Sequence, residues 1–177
     1  MLRQESGEGL SLADFVAPAG SGNGSPFGVF AVSVHSRDRH CNCAHCEADY
    51  EPMLLRSVKI TLAEAVSLWL DSRLKDELKA SDISARIIKP AAGYACCPDH
   101  SLKKDILGLI PGSEKLEISL TESFAMIPDA SICGFIFAHP EASYPDILRL
   151  SSESIEAYAQ RRQLPSGLAR NLLSHLG

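Results

Sequence analysis

An excess of positive charge, a long apolar run and the common catalytic fingerprints are all missing from this chain. Lys and Arg number 17 against 22 Asp and Glu, a formal net charge of -5. Phosphate recognition needs a basic surface, so a nucleic acid or an anionic membrane is not the expected partner. No apolar stretch approaches the roughly twenty residues of a membrane span. Residues 1–10 (MLRQESGEGL) lack the basic-then-apolar pattern of an export leader, and the expected location is the cytoplasm. Gly-x-Ser-x-Gly, Walker and Rossmann patterns are absent, which argues against an independent hydrolase or kinase. No internal repeat is visible. In a cytosolic setting the six cysteines read as thiols or metal ligands rather than disulfides.

What is present suits one core. The 177 residues are 45% hydrophobic and 22% charged, enough to close a single domain over residues 1–177. Ala19 to Pro26 is a Gly/Ser-rich loop, and Gly28 to His35 reads as a buried strand rich in β-branched residues. Pro52 suits the first turn of a long helix to about Leu78. On it Leu55, Val58, Leu62, Val66, Trp69 and Arg73 recur at intervals of three and four, so this stripe is expected to pack on a sheet while Glu64, Asp71 and Lys75 reach water.

After a polar stretch around Lys79 to Ser84, a short helix is expected from Ser101 to Leu109, stopped by Pro111-Gly112. Leu116 to Leu120 and Ile132 to Ala138 read as strands joined through the Pro128-Asp129 turn as an antiparallel hairpin. Ser151-Ser152-Glu153 begins a helix that covers Ile155 to Arg162, and Pro165 to Leu176 reads as a last one. This irregular order implies an α+β single domain with an antiparallel sheet and a long packed helix.

Two segments carry chemistry. The first is Lys89-Pro-Ala-Ala-Gly-Tyr-Ala-Cys-Cys-Pro-Asp-His100. Pro90 biases Lys89 to an extended backbone, and Gly93 allows a positive φ or a close approach to a ligand. Backbone groups near Ala91 and Tyr94 then suit an amino acid or an adenine edge, with Lys89 offering a charge to a carboxylate. A tight turn beside a solvated lysine is the plainer alternative. The second is His40-Cys41-Asn42-Cys43-Ala44-His45-Cys46. Cys41, Cys43 and Cys46, with His40 or His45, have the donors for zinc or an iron–sulfur cluster. No second pair at zinc-ribbon spacing follows, and an exposed loop with reduced thiols is the alternative. Cys133, in an apolar strand, reads as a buried small hydrophobe.

Lys89 to His100 resembles the Arg-Pro-x-x-Gly-Tyr-x-x-Cys-Pro-(Asp/Glu)-His signature of the activation domain of cobalamin-dependent methionine synthase. Leu120-Thr-Glu-Ser-Phe-Ala-Met126, Gly134 to Tyr144, Leu12-Ala-Asp-Phe-Val-Ala-Pro18 and the strand from Gly28 to Val32 are similar to that family's strings, in its order. The resemblance implies a module that binds S-adenosylmethionine through Lys89, Ala91, Gly93, Tyr94 and Tyr144. It also implies that Glu64, in Leu62-Ala-Glu-Ala65, lies toward cobalamin held on a partner chain; a solvated helix face is the plainer reading of Glu64. His100, His139, Glu122 and Ser123 match family positions too. The histidines are expected to be structural, and Glu122 and Ser123 to be buried hydrogen-bonding groups that shape the ligand loop.

Departures from the family bear on affinity. Lys89 replaces an arginine and exchanges a two-bond fork for a point charge. Ile83 stands where the family has Glu, Ile60 where it has Asp, and the family's upstream acidic segment precedes anything in this chain. Each lost charged bond is worth about 1.5–3 kcal/mol. No cobalamin-carrying Asp-x-His-x-x-Gly pattern is present. The expected function is therefore a free-standing activation-domain-like protein that binds S-adenosylmethionine and assists reductive remethylation of cobalamin in trans. Its partner is a methionine synthase or another corrinoid protein, so the chain is an accessory rather than an independent enzyme. The alternative is a docking or regulatory module that has lost S-adenosylmethionine, with metal at the Cys-rich loop; a piece of a longer protein is a third reading.

Overall fold

A computed structural model describes residues 1–21, 24–35, 50–80 and 84–177. The Cys-rich segment that contains Cys41, Cys43 and Cys46, and also Ile83, lie outside the described residues. The architecture is α+β. Strand β1 (Phe27–Ser33) is followed by helix α1 (Tyr50–Ala80), strand β2 (Arg86–Ile88) and helix α2 (Leu102–Leu109). Then come β3 (Ser119–Leu120), β4 (Met126–Ile127), β5 (Ser131–His139), α3 (Ser152–Arg162) and α4 (Ser166–Leu172).

The sheet is antiparallel with β5 at its centre, in the order β1-β5-β2. Alternation along the strands sorts its two faces. Val29, Ala31, Cys133, Phe135 and Phe137 point to the side where Leu102 and Ile106 of α2 and Leu12 and Phe15 of the N-terminal segment complete the main core. The opposite face, carrying Phe30, Ile132, Ile136 and Ala138, receives α1. A second apolar cluster joins Leu2, Ile147 and Leu150 to Ile155, Tyr158, Ala169 and Leu173 of α3 and α4.

Three expectations from the sequence are corrected. The strand Ile132 to Ala138 does not form a hairpin with Leu116 to Leu120. Instead Ser119 and Leu120 pair with Ile127 and Met126, while β5 pairs with β1 and with β2, a strand between the polar stretch and Lys89 that the sequence reading missed. Glu122 and Ser123 are exposed at the tip of that small β3–β4 hairpin, not buried. The stripe Val58, Leu62, Val66 and Trp69 is also exposed. Helix α1 turns a neighbouring line to the sheet: Leu55, Ala63, Ser67, Leu70, Leu74 and Leu78 are buried or half-buried. This line, with four leucines, is no less apolar than the expected stripe, and small side chains at Ala63 and Ser67 let the helix lie close.

The signature segment is tied to this frame by a buried carboxylate. Asp99, 1% exposed, accepts from the Ser101 backbone N–H at 2.7 Å and from the Tyr158 hydroxyl at 2.6 Å. Arg162 approaches it at 3.7 Å and also donates to Asp105 and Ser101. Burial, and then the bond to Asp99, push the Tyr158 phenol well above its usual range, so it stays a donor. Removing that donor strands part of a buried charge. Tyr158→Phe is expected to cost about 1.5–3 kcal/mol in urea unfolding with the denaturant slope unchanged.

Candidate functional site

Residues 89–97 leave β2 and run back along β5 as an irregular strap. The Phe135 N–H donates to the Pro90 carbonyl at 3.0 Å, and the Ala92 N–H to the Cys133 carbonyl at 3.3 Å, so the strap is bonded on both sides of Gly134. A Cβ on Gly134 would fall 2.5 Å from the Pro90 oxygen and 2.8 Å from the Ala91 Cα, both backbone atoms. Only glycine allows this approach. The strap then turns tightly: the Tyr94 N–H donates to Ala91, the Cys97 N–H to Tyr94, and the Gly93 N–H to Cys97. Gly93 has φ +104, and a Cβ there would strike the His100 ring at 2.5 Å.

Between this strap and α1 lies a cleft of about 420 Å³. Its lining brings together five residues named from the sequence, Lys89, Ala91, Tyr94, Tyr144 and Glu64. Phe30, Ile132 and Leu68 supply apolar walls. Tyr94 and Tyr144 are 62% and 51% exposed and flank the mouth, and the Tyr144 hydroxyl accepts from the Lys89 backbone N–H at 2.9 Å. Exposed aromatic rings around a concave apolar site are suited to a flat heterocycle. Gly93 does not line this cleft; it borders a smaller cavity of about 160 Å³ behind the strap, with His100, Lys103 and Cys133.

The electrostatics differ from the sequence expectation in one respect. Lys89 lines the cleft, but its ammonium is turned to α1, where it donates to the Ser67 carbonyl, to Ser67 Oγ at 2.7 Å and to Asp71 Oδ1 at 2.8 Å. It also lies 5.1 Å from the centre of the Phe30 ring. Asp71 therefore belongs to the cleft rather than to the solvated face assigned from the sequence. It was findable: Glu64 and Asp71 are seven residues apart, two helical turns, and so share a flank.

Behind the strap, the Lys103 ammonium is nearly inaccessible, donates to the Phe124 carbonyl at 3.0 Å, and meets His100 Nδ1 at 2.8 Å. Burial lowers the Lys103 pKa, and burial followed by the Lys103 charge lowers that of His100. Neutral His100 with Nδ1 as acceptor is the state that fits this contact. Burial pushes the Cys97 thiol up to about 12 and the Cys133 thiol up to about 11, so both are uncharged filler. His100 packs against Gly93 and Lys103, and Cys133 is buried, as expected of a small hydrophobe.

The model of the family "Vitamin B12 dependent methionine synthase, activation domain" matches residues 1–163. The chain belongs to that family. A solved relative, described as "Crystal Structure of the MetH Reactivation Domain bound to AdoHcy", is 29% identical with a TM-score of 0.63 over 72% of this chain. This chain spans 43% of that protein's chain. The α+β fold with its antiparallel sheet is thus the activation-domain fold, and the strap and cleft are built on its frame. No helix among the described residues is long and apolar enough to cross a membrane. No group of three or more metal-binding side chains occurs among the described residues.

Two tests follow from the strap. Gly134→Ala is expected to destabilise the fold by several kcal/mol, since backbone atoms must move, while Gly108→Ala, which meets nothing within 4 Å, is expected to be nearly neutral in the same urea titration. The second concerns pH. Unfolded His100 takes a proton near the ordinary 6.5, whereas folded His100 resists it, so the unfolded state binds more protons and stability falls as pH drops below about 6.5 toward the lowered folded value. His100→Asn is expected to flatten this slope when unfolding is followed between pH 7 and 5.

Proposed function

We propose that the cleft between the strap and α1 binds S-adenosylmethionine and presents its methyl group to cobalamin carried on a partner polypeptide. The observation that carries the reading is the convergence of Ala91, Tyr94, Tyr144, Lys89 and Glu64 on one cleft of a size suited to such a ligand. The family membership and the solved relative bound to AdoHcy support it. In this reading the exposed rings of Tyr94 and Tyr144 hold the adenosine portion, and Gly93 keeps the turn beneath Tyr94 in shape.

The residues present fit the ligand. Its heterocycle finds aromatic and apolar walls, and its charged end finds Asp71 and Glu64 on the helix side. When bound, S-adenosylmethionine supplies an electrophilic methyl on a sulfonium. The protein's task is to hold that methyl at the open side of the cleft and keep the rest of the ligand fixed, which is positioning rather than acid–base chemistry. Glu64 is exposed on α1 beside the cleft and belongs to the surface that would face the corrinoid partner. The partner is a cobalamin-dependent methionine synthase or a related corrinoid protein, and the chain acts on it in trans in the reductive remethylation of cobalamin.

Calorimetric titration with S-adenosylmethionine tests this directly, alone and with a cobalamin-loaded methionine synthase that lacks its activation domain. Saturable binding is expected, and Tyr94→Ala should weaken it by about tenfold, the worth of one lost stacking contact in a site of this kind. Folded protein that gives no heat in either setting would instead support a docking module that has lost the ligand.

A further inference from the structure

If the cleft is read as an S-adenosylmethionine site, one question is which charge in it meets the ligand. We propose that Asp71 takes the ligand's cationic end, and that Lys89 stands behind Asp71 as a positioning residue that does not contact the ligand's carboxylate.

Lys89 has three ammonium N–H groups, and the structure gives each a partner: the Ser67 carbonyl, Ser67 Oγ and Asp71 Oδ1. Its side chain is 9% exposed, whereas that of Asp71 is 31% exposed. A carboxylate has about four acceptor directions. Asp71 uses one on Lys89, its one bonded side-chain partner among the described residues. An incoming ammonium can therefore add to Asp71 without breaking any bond. An incoming carboxylate would have to displace Ser67 or Asp71 from Lys89, and would then lie on the same helix flank as two carboxylates.

The charge count points the same way. Glu64 and Asp71 outnumber Lys89 on the lining, leaving that side with one net negative charge. Such a wall favours the sulfonium and ammonium of S-adenosylmethionine and is indifferent or hostile to its carboxylate. Asp71 would thus supply from α1 a counter-charge of the kind that Ile83 does not offer. The Lys89 ammonium, 2.8 Å from Asp71 Oδ1, fixes the Asp71 carboxylate in place.

The consequence is a ligand preference. Decarboxylated S-adenosylmethionine keeps both positive centres and lacks the carboxylate, so the native protein is expected to bind it at least as tightly as S-adenosylmethionine. Calorimetry with the two ligands reads this without any mutation. Asp71→Asn, checked for native melting, is expected to weaken both by about tenfold, one charged contact's worth. Lys89→Met is expected to weaken both alike and leave their ratio unchanged.

Decarboxylated ligand bound about tenfold or more weakly by the native protein would overturn the inference while leaving the S-adenosylmethionine reading intact. So would a folded Asp71→Asn protein with native affinity, or a Lys89→Met protein that loses S-adenosylmethionine selectively. Native protein that binds neither ligand would overturn the reading of the cleft itself, and this inference with it.

Discussion

The backbone-to-backbone approach at Gly134 is the constraint on which the rest of this structure depends. With the Pro90 oxygen 2.5 Å from where a Cβ would be, the strap cannot lie on β5 beside any other residue. Because it lies there, the Phe135 and Ala92 amides are satisfied by strap and strand rather than by water. Tyr94 is lifted to the surface, Lys89 enters beneath α1, and a cleft opens between the two. The same approach closes the main core from above, since Ala92, Cys96 and Cys97 are buried against the sheet.

Two buried charges then fix the ends of the strap in different ways. At its far end Asp99 is held by Tyr158 and the Ser101 amide, which locks the strap to α2 and α3. At its near end Lys89 is held by Ser67 and Asp71, which locks it to α1. The first pairing lies inside the protein and is structural. The second lines an open cleft, where a carboxylate that is already oriented costs a cationic ligand little to engage.

The signature strap was legible in the sequence because its chemistry is local: Pro90 and Gly93 state their backbone requirements, and the strings around them resemble a known family. Family membership and the α+β class follow from that local record, and Lys89, Ala91, Tyr94 and Tyr144, named there as ligand contacts, line one cleft. Features set by long-range geometry were not legible. Val58, Leu62, Val66 and Trp69 and the line Leu70, Leu74 and Leu78 are both apolar at helical spacing, and periodicity alone does not say which of them meets the sheet. Strand β2 is three residues long and carries no alternation to read. Glu122 and Ser123 belong to a matching string, but a string does not state burial, and the hairpin places both in solvent. The engagement of Lys89 by Asp71 joins residues from two elements, and only the fold brings them together.

The central claim, that the cleft beside the strap is where a nucleoside ligand is held, is tested most directly by mapping backbone amide shifts in isotope-labelled protein during a titration with S-adenosylmethionine. The account predicts saturable shifts concentrated at Ala91 to Tyr94, Gly134, Tyr144 and the turns of α1 from Glu64 to Asp71. Shifts centred instead on α3 and α4, or no saturable shifts in folded protein, would contradict it.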